Sequence, residues 1–87
     1  MRESKLEKKL VSHIKKLGGI AYKFSSPNRR AVPDRLCVMP NGRVFFVEVK
    51  APTKQPTSLQ SHEHKILQDL GHIVFVVDSE ESINAIA

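Results

Sequence analysis

Two carboxylates and one ammonium are placed in this chain where they could act together. Asp34 lies in Val32-Pro33-Asp34-Arg35, and Glu48 and Lys50 lie in Glu48-Val49-Lys50. Both segments border runs of β-forming residues, so the three charges are expected at the end of a buried sheet. Charges there cost free energy unless a metal or a ligand compensates them. A pair of carboxylates suits a hard cation such as Mg²⁺, with water in most of its remaining positions. Such a cation activates water and neutralises charge growing on a phosphate. The lysine could orient that water or help deprotonate it, and could stabilise a pentacoordinate phosphorus. The chemistry suggested is hydrolysis of a phosphate ester.

Whether the acids meet depends on the turn between the strands. A two-residue Asn41-Gly42 loop pairs Met39 with Val44 and sets Asp34 against Val49. A three-residue Pro40-Asn41-Gly42 loop pairs Met39 with Arg43 and sets Asp34 opposite Glu48 on one face. The residues favour the second. Proline suits the first central position of a type I turn, asparagine the next, and glycine the left-handed bulge position. Lys50, two residues beyond Glu48, shares its face with Val44 and Phe46, while Phe45, Val47 and Val49 line the other. Apolar residues on both faces mark a central strand. The plainer alternative is a local Glu48–Lys50 salt bridge, with Asp34 a turn residue after proline.

The elements that position these groups follow from periodicity. Leu6, Leu10, Val11, Ile14 and Leu17 recur at helical spacing and predict a helix from about Glu3 to Leu17, ended by Gly18-Gly19. Ile20 to Phe24 is a strand candidate, and Ser25 to Val32 a basic, turn-rich loop. Leu36–Met39 and Val44–Val49 form the hairpin. Thr57 or Ser58 caps a second helix from about Leu59 to Leu70, stopped at Gly71. Ile73–Val77 is a continuous apolar run, expected for a strand buried on both faces. Ser79 caps a short closing helix that reaches Ala87. The crossover through the second helix makes strands three and four parallel, so an α/β fold with a mixed sheet flanked by helices is predicted.

Bulk properties narrow the partners. The 87 residues suffice for one domain, 1–87, with a thin core that a partner subunit would help. Apolar content is 40% and net charge is +5, a balance that favours polyanions. The single cysteine, Cys37, excludes an internal disulfide and reads as a small core residue. Charged residues fill the first positions where a signal peptide needs apolar ones, and no apolar run nears the ~20 residues of a membrane span. A soluble, intracellular protein without a membrane partner is expected. His13, His62, His64 and His72 form no zinc set, because His62 and His64 diverge on their helix and no cysteine pair helps. His64 or Lys65 could approach a nucleic acid.

Pro33-Asp34, the hairpin, and Glu48-Val49-Lys50 resemble the PD-(D/E)XK nuclease signature. Val32-Pro33-Asp34-Arg35, Phe46-Val47-Glu48-Val49-Lys50-Ala51 and Ser58-Leu59-Gln60 are similar to its VRR-NUC group, in which glycine often stands where this chain has Ala31. The resemblance spans nearly the whole chain and implies an αβββαβ core and a Mg²⁺- or Mn²⁺-dependent phosphodiesterase. It implies Asp34, Glu48 and the Val49 carbonyl as metal ligands, Lys50 as the catalytic lysine and Gln60 as support for the site. It also implies a glutamate from the first helix, for which Glu7 and Glu3 compete. Glu7 is preferred, because it borders the stripe of Leu10, Val11 and Ile14. Stand-alone members resemble Holliday junction resolvases, which implies a homodimer acting on branched or duplex DNA in the cytoplasm of a bacterium or a phage-infected host.

Lys23, Arg29, Arg30, Arg35 and Lys54 surround the acids in sequence and are candidates for phosphate contacts. Lys5, Lys8, Lys9, Lys15 and Lys16 read as the wet face of the first helix. Two rival functions keep the fold. One is a nucleic-acid-binding module without catalysis, and the other a subunit whose partner supplies recognition.

Overall fold

The computed structural model describes residues 1–87. The chain runs α1 (Glu3–Lys16), β1 (Ile20–Lys23), β2 (Arg35–Val38), a 3₁₀ turn (Pro40–Gly42), β3 (Val44–Val49), α2 (Ser58–Asp69), β4 (Val74–Val77) and α3 (Glu80–Asn84). The sheet order is β1-β2-β3-β4, with β1–β2 and β2–β3 antiparallel and β3–β4 parallel. This is the mixed α/β architecture that the sequence predicts.

Alternation along the strands sorts residues onto two faces. Ala21, Cys37, Phe45, Val47, Val49 and Val77 face α1 and α3, where Leu6, Leu10, Ile14, Ile83 and Ile86 complete the core. Each of these larger side chains gains roughly 2 kcal/mol by leaving water. Phe45 and Phe75 pack edge to face with ring centroids 5.1 Å apart. Lys9 Nζ donates to Glu80 Oε1 at 2.8 Å, and His13 Nε2 lies 2.6 Å from the Ile86 carbonyl oxygen, so α1 and α3 are tied. Gly19 lets α1 turn into β1 at close range, because a Cβ there would strike Met39 Sδ and the Val38 carbonyl.

The other face is differently built. Phe24, Phe46 and His72 stack there, with centroids 5.5 and 5.9 Å apart in succession. The buried residues of α2 are Glu63 and His64, while Leu59 and Leu70 face outward. Ile20, Val38 and Val44 lie side by side in register across β1, β2 and β3. They are 54%, 38% and 40% exposed.

Three expectations need correction. The run Ile73–Val77 is not a strand buried on both faces. The strand order puts β4 at the sheet edge, and Val76 is 42% exposed. The turn also departs from the expected type. Met39 N–H donates to the Arg43 carbonyl at 2.7 Å, so the three-residue loop is present, but Asn41 itself is left-handed, at φ 66°. Asparagine tolerates that region better than most residues. The closing helix is shorter than read, ending at Asn84.

Candidate active site

The hairpin register sets the acids. Arg35 pairs with Val47, Leu36 with Phe46 and Cys37 with Phe45. Continued by one residue, the same register brings Asp34 opposite Glu48, the relation that the three-residue turn predicts. The ladder opens at this point. Val49 N–H, freed from a strand partner, donates to Asp34 Oδ2 at 2.8 Å. N–H and C=O of one extended residue point the same way, so the Val49 carbonyl also opens toward Asp34. The backbone on either side is fixed: Phe24 N–H donates to the Asp34 carbonyl and Lys50 N–H to the Val77 carbonyl, both at 2.9 Å. Pro33, fully buried, anchors the approach to Asp34.

Glu48 is only 1% exposed, an unusual setting for a carboxylate. Burial, then the charge of Asp34, pushes its carboxyl up to about 7, against a weaker pull from Lys50. Lys50 Nζ lies 3.6 Å from Glu48 Oε2. Gln60 Nε2 donates to the same oxygen at 3.2 Å. Thr57 caps α2, and Gln60 closes the capping box by accepting from the Thr57 N–H through Oε1 at 2.9 Å. One carboxamide thus caps a helix and holds a buried acid.

His64 is the residue that sequence reasoning left out of this cluster. Its Nε2 lies 3.5 Å from Glu48 Oε1, and neither atom has a hydrogen-bond partner. Burial, then Lys50, lowers its pKa below the usual histidine range. The signal was available, because His64 follows Gln60 by four residues and shares its helix face.

The remaining candidates scatter. Glu7 is not brought to the acids. Its Oε2 accepts from Arg35 Nε at 2.9 Å and pairs with Nη2 at 2.7 Å. Arg35 follows Asp34 in the strand and so points to the opposite face, beneath α1. Glu3 is exposed. Arg35 also donates to the Ala21 carbonyl at 3.1 Å, so its guanidinium is engaged within the fold. Arg29 makes a two-pronged pair with Glu63, both bonds 2.8 Å, strapping the basic loop to α2. Lys23, Arg30 and Lys54 are exposed and in no ion pair. Lys23 lines an open cavity of about 350 Å³ with Ser4, Glu7, Lys8, Val11 and Arg35. Asp34, Glu48, Lys50, Gln60 and the Val49 backbone therefore converge, while the predicted phosphate contacts divide between free lysines and arginine and committed arginines.

A solved structure described as a VRR_NUC domain superposes with a TM-score of 0.90 at 34% identity, covering 94% of this chain and 89% of that one. The chain is 57% identical over 81 residues to "Putative nuclease p44" of Acyrthosiphon pisum secondary endosymbiont phage 1, covering 93% of this chain and 87% of the relative. This chain belongs to the VRR_NUC nuclease family. No sequence-family model matches it. Its membership accords with the PD-(D/E)XK core, and in this VRR_NUC chain β3 carries Glu48 and is followed by Lys50 where the pairing with β2 ends. No helix of this VRR_NUC chain is long and apolar enough to cross a membrane.

The donor chemistry fits the divalent ion that the family implies. Glu48 Oε1 is a buried, unpartnered anionic oxygen beside Asp34. A cation at that oxygen would remove both the desolvation penalty and the repulsion between the acids.

Proposed function

We propose that this chain is a divalent-metal-dependent, structure-specific DNA endonuclease acting as a homodimer on branched DNA such as Holliday junctions. The observation that carries the metal-dependent reading is the convergence of Asp34 and Glu48 on one face with Lys50 and Gln60. Asp34, Glu48 and the Val49 carbonyl would hold Mg²⁺ or Mn²⁺. When bound, the ion supplies Lewis acidity and a water of lowered pKa for in-line attack on a phosphodiester.

The chain's own groups do the rest. Asp34 is held in place by the Val49 N–H, so its second oxygen is free to bind. Lys50, largely buried beside Glu48, directs an ammonium at the reacting phosphate and stabilises its added negative charge. Gln60 fixes the rotamer of Glu48 without adding charge. Lys23, Arg30 and Lys54 offer free cations to flanking phosphates, consistent with the net charge of +5.

One observation and one argument from symmetry support the dimer and the branched substrate. The exposed Ile20–Val38–Val44 row is an apolar strip on the α2 side of the sheet, such as a second copy would cover. One active site cuts one strand, so paired cuts across a symmetric junction require a two-fold partner.

The test is cleavage of labelled four-way junctions, flaps, linear duplex and single strands with Mg²⁺, Mn²⁺ or EDTA. Junction cutting that needs metal and disappears in Asp34→Ala and Lys50→Ala is expected. Cutting that survives EDTA would overturn the metal dependence, and a folded protein inert on every substrate would overturn the reading in favour of a binding module. Light scattering checks the dimer, and Val38→Lys should yield monomers.

A further inference from the structure

We propose that the cavity between α2 and the β4 edge is a nucleobase site, taking one unstacked base of a nucleotide that adjoins the bond to be cut. This deepens the branched-DNA reading above and rests on it.

Gln55, Pro56, Ser61, His64, Gln68 and Val76 line an open cavity of about 380 Å³, a size usual for small-ligand sites. The sheet fixes its place beside the acids. Val76 is the register partner of Glu48 across β3 and β4, so the two side chains share the α2 face, one strand spacing of about 4.8 Å apart. His64 borders both, because it lines the cavity while its Nε2 lies 3.5 Å from Glu48 Oε1. A phosphate held at the acids therefore has the cavity as its neighbour, within reach of the base on the same nucleotide or the next.

The lining selects the occupant. Each of the other three cavities includes at least one lysine, whereas this one has no lysine, arginine or carboxylate. A phosphate would find no counter-charge in it. Gln55 and Gln68 instead offer two carboxamides, each both donor and acceptor, and Ser61 a hydroxyl. Glutamine and serine are groups that read base edges. Pro56 and Val76, the latter 42% exposed on the edge strand, give apolar surface for a flat ring, and His64 an aromatic one. A base enters only by leaving its stack, and that costs least where pairing is already broken. The cavity would thus reward DNA that is branched or unpaired at the cut and disfavour linear duplex.

The test uses four-way junctions with 2-aminopurine, an adenine analogue that brightens on leaving the stack, placed in turn on either side of the cut mapped with Mg²⁺. The full chain is titrated in EDTA, with a separate label reporting binding by anisotropy. At saturation, fluorescence at one of the two positions should rise with the wild type and stay flat with the double variant Gln55→Ala/Gln68→Ala. With Mg²⁺, the double variant should cut the intact junction with kcat/KM lowered about tenfold. On a junction made abasic at that position, the two proteins should differ less than about twofold, because the lost carboxamides have nothing to meet. Both glutamines are exposed, so the fold should survive their removal, and thermal melts check that it does. Junction binding with no brightening at either position, or an equal loss of cutting on intact and abasic junctions, would overturn the nucleobase site and leave the nuclease reading standing. A folded wild type that neither binds nor cuts any junction would overturn both.

Discussion

Gln60 and Glu48 are joined by a bond whose donor is itself locked. Gln60 Nε2 reaches Glu48 Oε2 at 3.2 Å while its Oε1 receives the Thr57 N–H at 2.9 Å. The two roles separate by substitution. Gln60→Glu keeps the capping acceptor but sets a third carboxylate against Glu48, so cleavage should fall about 10–100-fold with the helix cap intact. Gln60→Ala should lose a similar factor in rate and, in addition, about 1 kcal/mol of stability. Paired cleavage assays and thermal melts check this. Equal melting temperatures for the two variants would contradict it.

Asp34→Asn keeps an oxygen for the Val49 N–H but removes the charge that crowds Glu48. Cleavage should drop on the order of 10³-fold, as when a transition-state electrostatic partner is lost. In EDTA at pH 8, however, the variant should melt above the wild type. A functional group that destabilises its own fold gives this opposite pair of signs.

The pH dependence follows from Glu48. Its carboxyl is pushed up to about 7 from an ordinary 4.5, so the folded chain holds that proton more tightly than the unfolded one. Its contribution to stability is complete below about pH 4.5 and is lost as pH rises through 7. Metal-free protein should therefore lose a few kcal/mol between pH 5 and pH 8, and Glu48→Gln should flatten that slope. Glu63, lowered by Arg29, acts in the opposite sense and only in more acidic solution. Chemical denaturation in EDTA across this range is the measurement, and a flat wild-type profile would count against it.

Ala31 sits at φ 61°, the left-handed region where a Cβ is strained. Ala31→Gly should stabilise the chain by about 0.5–1 kcal/mol, after allowing for the greater freedom of glycine when unfolded. Denaturant melts at matched pH check it. Glycine would meet no such strain at this angle.

Much of the arrangement could be read before any coordinates. Pro40-Asn41-Gly42 fixed the loop length, the loop length fixed the register, and the register set Asp34 against Glu48. Helical spacing gave the core face of α1. What escaped reading shares a cause: sequence does not say which groups a charge will meet. Arg35 looked like a phosphate contact because it follows Asp34, yet strand alternation sends it to Glu7 on the far side. Arg29 is taken by Glu63, 34 residues away. The apolar Ile73–Val77 run suggested a central strand, but nothing local could show that no strand follows β4 in the sheet. His64 was set aside because it made no zinc set with the other histidines, and the acid it meets lies on another element.

α2 is held down by acids, an amide and an imidazole, with Glu63 and His64 its buried residues. Its docking is therefore in large part a titratable quantity, whereas the buried residues of α1, Leu6, Leu10 and Ile14, are indifferent to pH and ions. Amide exchange along α2 should report the state of the site directly, slow when its charges are balanced and fast when they are not. A lineage that abandoned the reaction would have to re-engineer this helix as well, so here activity and architecture are inherited as one trait.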